Sequence, residues 1–383
     1  MPTSRRDFVT LSAATALGTL GGAPHAARDG WRAPDVSHLR NWLAASDVPG
    51  LSIAVSNAGD TRATFAGLRL AGGAHLVDVA TVFEAASLSK PVFAFACLQL
   101  VKRGLLDLDR PLDAYLPAPY PIDDGGSEIT ARHVLSHTSG LQNWRFRPEQ
   151  KLALAFRPGT RFSYSGEGYY FLQVVVEHIL GTGIATFLND TVLVPLGMTK
   201  SSYVWRLGTE ANLALPHDDS GTPSETRTKD IGTQLRAAAA AKAKPLEQWT
   251  TLEVLAALPT LRDPQRSLPV YAFPNVATSL LTTPTDYARF LGHAREMQSL
   301  GMFDRQVRVN DAISWGLGIG IDTRDGMPFH WGDNDGYKNF FVIDPHADRS
   351  AVVLTNGDRG LNLAERTVEE TAGTRLAASL WIA

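Results

Sequence analysis

The chain has 383 residues, 44% of them hydrophobic and 20% charged, with a formal net charge of -3. That length buries a sizeable core in one large or two medium domains, and the composition is that of a globular protein. The slightly acidic balance, with no basic block, excludes nucleic acid as a partner.

The N-terminus pairs Arg5 and Arg6 before Phe8, continues through a mild apolar run from Thr10 to Ala23, and ends in small residues. This pattern is that of a twin-arginine export signal over residues 1–26, with Ala23, Ala26 and Ala27 as candidate cleavage points. It predicts a periplasmic or secreted protein with no stable membrane anchor after signal removal. The single Cys97 forms no internal disulfide, and its apolar neighbours predict a buried thiol.

Pro34 to Ala45 reads as a helix, and Leu51 to Val55 with Thr61 to Leu70 reads as a hairpin turned at Asn57-Ala-Gly-Asp60. The chain returns through Val82-Phe83 to Ser87-Leu-Ser-Lys90, which opens a helix, Pro91 to Leu105, apolar on nearly every face. Positions i and i+3 of a helix share a face at about 5–6 Å between Cβ atoms, so the Lys90 amine can reach the Ser87 hydroxyl. The pair offers a nucleophile and a base for covalent catalysis.

Helical segments then alternate with Pro/Gly loops, at Thr130 to Ser136, Gly168 to Leu180 and Thr251 to Leu258, with a polar surface loop from His217 to Asp230. Strand patterns return at Ile313 to Ile321, Pro328 to Trp331, Tyr337 to Ile343 and Ser350 to Leu354. Leu361 to Leu380 closes the chain as one amphipathic helix. The expected architecture is α+β, an antiparallel sheet built from both termini and flanked by helices. Residues 27–105 and 295–383 form the sheet lobe, and 106–294 an inserted, mostly helical lobe.

No serine stands in Gly-x-Ser-x-Gly, which disfavours an α/β-hydrolase. His133 and His137 have the i, i+4 spacing of metal ligands but no surrounding His-Glu-x-x-His, so no metal site is expected. Gly316-Leu-Gly-Ile-Gly320 lies within a strand pattern, where glycines relieve crowding. Tyr164 sits in a Gly-flanked polar loop before a helix, and His330-Trp-Gly332 ends a strand.

Together these segments resemble the class C beta-lactamase and penicillin-binding superfamily of serine hydrolases. His133-Val-Leu-Ser-His-Thr-Ser-Gly-Leu141, Pro158-Gly-Thr160, Tyr164-Ser165, Pro195-Leu-Gly-Met198 and Trp315-Gly-Leu-Gly318 follow that family's order. The resemblance implies the beta-lactamase/transpeptidase-like fold, with Ser87 as nucleophile, Lys90 as its proton partner, Tyr164 as general base and acid, and His330 heading a third motif. It also implies an oxyanion hole from the backbone N–H groups of Ser87 and Asp333, and a substrate-binding edge at Gly166, Trp331 and Gly332. No cofactor is required.

The chain departs from that pattern at Gly166, where the family's Asn amide would bind an acylamino group, and at His330, where a Lys would supply positive charge. Lys338 is the nearby residue that could compensate. The departures favour an ester or a D-amino-acid-type amide or short peptide as substrate, with a beta-lactamase or a non-hydrolytic penicillin-binding sensor as alternatives. Introducing Asn at Gly166 is expected to improve acylamino recognition.

Overall fold

The computed structural model describes residues 30–123, 125–145, 150–224, 227–262 and 274–382. Residues 1–26, where an export signal is expected, lie outside them. Eight strands form one antiparallel sheet in the order β2-β1-β10-β9-β8-β7-β6-β5. They are β1 (Gly50–Asn57), β2 (Asp60–Gly67), β5 (Val307–Arg308), β6 (Ile313–Trp315), β7 (Gly320–Asp322), β8 (Pro328–Asn334), β9 (Tyr337–Asp344) and β10 (Arg349–Thr355). A separate ribbon pairs β3 (Phe83–Glu84) with β4 (Leu281–Thr282). The two ends of the described chain thus meet in one sheet, and the architecture is α+β.

The middle strands are apolar almost without a break because both faces are covered. Along β10, Ala351 and Val353 enter the core beneath α1 (Val36–Ser46) and α10 (Gly360–Ala372), whereas Val352 and Leu354 enter the core on the opposite face. Period-two alternation assigns neighbours to opposite faces. The edge strand β2 is exposed or half-exposed along most of its length. Its turn from β1 places Ala58 at φ 48° and Gly59 at φ 86°, the two left-handed residues of a tight hairpin.

On the opposite face lies α2 (Ser89–Lys102), buried along nearly its whole length. Pro91 falls in its first turn, where the missing N–H would have had no intrahelical partner. The segment between α2 and β5 carries α3 (Ala131–Leu135), α4 (Gly166–Leu180), α5 (Ile184–Leu188), α6 (Arg227–Ala241), α7 (Thr251–Ala257), α8 (Pro284–Leu291) and α9 (Ala294–Ser299). Of these, α8 packs on β1, β2 and β10, so the chain rejoins the sheet before residue 295.

Three local expectations change. The expected surface loop from His217 to Asp230 ends earlier, because α6 starts at Arg227. The single C-terminal helix is two, α10 and α11 (Ala377–Ile382), broken where Gly373 turns left-handed at φ 69° and its N–H caps Glu369 O. Ile313 to Ile321 is a hairpin, with Gly316 N–H bonded to Ile319 O, instead of one strand.

Gly318 makes that turn at φ 84°, its N–H donates to Leu135 O at 2.7 Å, and a Cβ there would stand 2.3 Å from the Ala94 Cβ of α2. Its role is close approach to α2, not relief of crowding within a strand. Gly318→Ala should therefore lose roughly 2–4 kcal/mol from left-handed strain plus overpacking. Urea unfolding would read this as a lowered midpoint, and an unchanged midpoint would refute the close-approach account.

Candidate active site

Ser87, the expected nucleophile, sits in a turn that is a short 3-10 segment, Ala86–Leu88, running into α2. Ala86 adopts φ 51°, a costly conformation for a residue with a Cβ, and the surroundings hold it there. Ser89 Oγ donates to Ala86 O at 2.6 Å, while buried hydroxyls of Tyr287 and Tyr203 donate to Leu88 O and Ser89 O, each at 2.8 Å. Ala85 N–H donates to Leu280 O, tying the turn to the residue just before β4. Ser87 is the only residue from 81 to 90 that keeps appreciable exposure.

Lys90 is fully buried. Its Nζ lies 3.0 Å from Ser87 Oγ and donates to Ala277 O at 2.9 Å. Among the described residues no carboxylate pairs with it, and burial holds its pKa well below the usual lysine range. The rings of Tyr164, Tyr169 and Trp144 surround Nζ at centroid distances of 4.9, 5.6 and 5.9 Å. These lie toward the outer limit of about 6 Å for a cation–π contact, too weak to restore the charge against complete burial.

Tyr164 ends the loop before α4, with its ring half-buried and its hydroxyl enclosed and without a well-formed hydrogen bond. Burial pushes its pKa up, and the nearby Ser87 hydroxyl offsets this only in part. The ring stacks on His137 at 4.1 Å. His137 Nδ1 accepts from Ser165 N–H at 3.1 Å, which places the proton of the neutral imidazole on Nε2. Burial holds this histidine neutral, helped by Lys90 and His330.

His330 comes from β8. Only Phe329 and Pro328 of that strand pair with β7, so residues 330–334 present an open edge. His330 is fully buried, its Nδ1 lies 2.6 Å from Trp331 O, and its Nε2 has no partner. Burial, reinforced by Lys90, pushes its pKa down to about 3, so the ring is neutral. With Nδ1–H on the carbonyl, Nε2 is a lone-pair acceptor.

The same edge positions Asp333. Its hairpin has two loop residues, so the flanking pair Asn334–Tyr337 exchanges hydrogen bonds and the next pair, Asp333–Lys338, does not. The Asp333 N–H therefore points to the open edge. A Cβ on Gly332 would sit 2.4 Å from Ala85 O, so only glycine lets this edge approach the nucleophile turn. Packing is thus the visible role of Gly332. Trp331 is half-buried, 5.2 Å from the Tyr164 ring and 5.3 Å from Trp381 of α11.

Lys338 does not compensate for His330. Its Nζ donates to Asp333 Oδ1 and Asp358 Oδ1, both at 2.7 Å, and to Asn334 O at 2.9 Å. Burial alone would lower its pKa, but the two carboxylates outweigh burial and raise it. His133 and His137 diverge, since His133 Nδ1 accepts from Thr130 N–H in a helix cap. No cluster that could hold a metal occurs among the described residues.

The family model described as Beta-lactamase matches residues 36–373. This chain belongs to that family. Esterase EstB of Burkholderia gladioli is 32% identical over 179 residues, 39% of this chain and 45% of EstB. Penicillin-binding protein 4 of Amycolatopsis lactamdurans is 26% identical over 361 residues, 86% of this chain and 87% of that one. A solved class C beta-lactamase aligns with a TM-score of 0.66 at 17% identity, covering 91% of this chain and 98% of its own, a likeness of fold.

The structure brings Ser87, Lys90, Tyr164 and His330 of this family member around one point, with Asp333 and Trp331 on the adjoining edge. Sequence reasoning missed His137, which was weighed only as a metal ligand, and Trp144. The latter had no local signal, because its neighbour Gly166 is 22 positions away.

The buried amine has a consequence for stability. The folded pKa of Lys90 lies below its unfolded value near 10.5, so between the two the unfolded chain holds more protons and stability rises with pH. Lys90→Met, which cannot charge, should resist urea better than the wild type at pH 7. Its advantage should shrink as pH approaches about 10.5, while activity falls at least about a thousandfold. A stability gap independent of pH over that window would contradict the assignment.

Proposed function

We propose that this protein is a serine hydrolase that forms an acyl-Ser87 intermediate on ester substrates. The Lys90 amine, held by Ala277 O through one N–H, directs its lone pair at Ser87 Oγ and takes its proton. Oγ attacks the ester carbonyl, and the backbone N–H groups of Ser87 and Asp333 stabilise the oxyanion by about 3–4 kcal/mol each. The carbonyl–alkoxy bond breaks, the leaving oxygen takes the Tyr164 proton, and the Lys90 ammonium returns one to Tyr164. Water then attacks the acyl ester, giving its proton back through the same pair. His330 Nε2 offers an acceptor for the Tyr164 hydroxyl where a lysine would bring charge.

The observation that carries the ester reading is the charge state of the third motif. His330 is neutral and Lys338 is committed to two carboxylates. Among the described residues of that motif a substrate carboxylate, as in a beta-lactam, finds no free cation, and the charged amine of a D-amino-acid amide finds Asp333 already paired. The family's esterase relative is consistent with this choice. The near full-length match to a penicillin-binding protein favours a second reading, in which the serine acylates but deacylates slowly. The paired arginines at the N-terminus support export by the twin-arginine route to the periplasm or medium.

Wild type and Ser87→Ala should be compared on p-nitrophenyl butyrate, D-alanine p-nitroanilide, a chromogenic cephalosporin and a fluorescent penicillin. Ester turnover that falls at least about a thousandfold in Ser87→Ala, with the other substrates slow, is expected. Stable penicillin labelling without turnover would favour the second reading, and activity independent of Ser87 would sink the nucleophile. For export, replacing Arg5 and Arg6 by Lys should hold the protein in the cytoplasm on cell fractionation. Unchanged export would refute the route.

A further inference from the structure

Beside the catalytic lysine, the loop Gln142–Arg145 runs along the N-terminus of α4 and is joined to it at every residue but Trp144. Ser165 Oγ donates to Gln142 O at 2.9 Å, Gly166 N–H to Asn143 Oδ1 at 2.8 Å, and Glu167 N–H to Asn143 O at 2.8 Å. Arg145 Nε meets the fully buried Glu167 carboxylate at 3.2 Å, and Arg145 Nη2 donates to the Tyr120 hydroxyl at 2.8 Å. Gln142 Nε2 adds a bond to Trp144 O at 3.0 Å. These bonds fix the Trp144 backbone, and its ring packs, partly buried, against the hydrophobic core.

That place is the space above Gly166. An ideal Cβ on Gly166 would lie 2.2 Å from Trp144 Cζ2 and 2.4 Å from Cη2, so the ring edge occupies the volume of any side chain at 166. The ring centroid is 5.9 Å from Lys90 Nζ, which itself lies 3.0 Å from Ser87 Oγ. Unlike Lys90 and His330, Trp144 stays partly exposed, so some of its apolar surface faces solvent next to the nucleophile.

We propose that Trp144 is the specificity-determining wall of the acyl subsite, selecting esters whose acyl group is apolar and carries no acylamino group. The proposal rests on the ester reading above and deepens it. The indole presents carbon surface to the acyl group, while the amide that would recognise an acylamino group is absent and its volume is filled. Asn at Gly166 consequently does not simply add a contact, contrary to the expectation from sequence, because its Cβ must first displace the ring.

The test is a p-nitrophenyl ester series of acetate, butyrate and hexanoate, with competent Ser87 counted by fluorophosphonate titration. Apolar burial gives about fourfold in kcat/KM per methylene while the chain lies on the ring. The hexanoate-to-acetate ratio of kcat/KM should fall at least about tenfold in Trp144→Ala and stay near wild type in Trp144→Phe. Gly166→Ala, by pushing the ring aside, should lower the ratio similarly, and the double variant should fall no further. Ester turnover with an unchanged ratio in titratable Trp144→Ala would overturn the role of the indole alone. Wild-type protein that turns over no ester would instead overturn the esterase reading beneath it.

Discussion

An amine buried without a counter-charge is the constraint around which this site is built. Lys90 touches one hydroxyl, one backbone carbonyl and three aromatic rings. Ionising it there would require desolvating a charge with no carboxylate among the described residues to repay the cost, so the neutral amine prevails. The rings of Tyr164, Tyr169 and Trp144, brought from outside α2, enclose the amine and maintain that condition. Histidines 137 and 330 obey the same rule, and both remain neutral in the shared enclosure.

Precision in the site comes from backbone close to its steric limits. Ala86 holds a left-handed φ, clamped by Ser89 and braced by the hydroxyls of Tyr287 and Tyr203 on the Leu88 and Ser89 carbonyls. Opposite it, Gly332 lets the open edge of β8 approach Ala85. Strain of this kind persists only where surrounding contacts over-determine it. Beyond Phe329 the same edge has no β7 partner, which leaves the Asp333 N–H directed to the open side.

Chemistry and recognition have separated here. Ser87, Lys90, Tyr164 and His330 meet around one point, whereas the groups beside them present imidazole and indole in place of charge and amide. A neutral His330, a Lys338 bound between Asp333 and Asp358, and a Gly166 covered by Trp144 all remove polar handles. The surroundings of Ser87 are accordingly poorer in free charge and amide groups than the sequence motifs alone suggest.

Much of this was legible in the chain. Alternating strands at both termini, an all-apolar helix after Ser87-Leu-Ser-Lys90 and motifs in a definite order determined the α+β architecture and its family. Those signals are local, carried by periodicity and by residues a few positions apart. Local reading misjudged Gly316 to Gly320 as strand and Leu361 to Leu380 as one helix, because glycine in a left-handed turn leaves the apolar pattern intact. What only the tertiary structure decided is electrostatic and steric. Lys90 is uncharged because of what encloses it, Lys338 is occupied because of a strand register, and Trp144 fills the place of a side chain at 166 because two loops are laced together. Protonation and free volume depend on neighbours brought from distant parts of the chain, and a sequence names such neighbours without stating their distance.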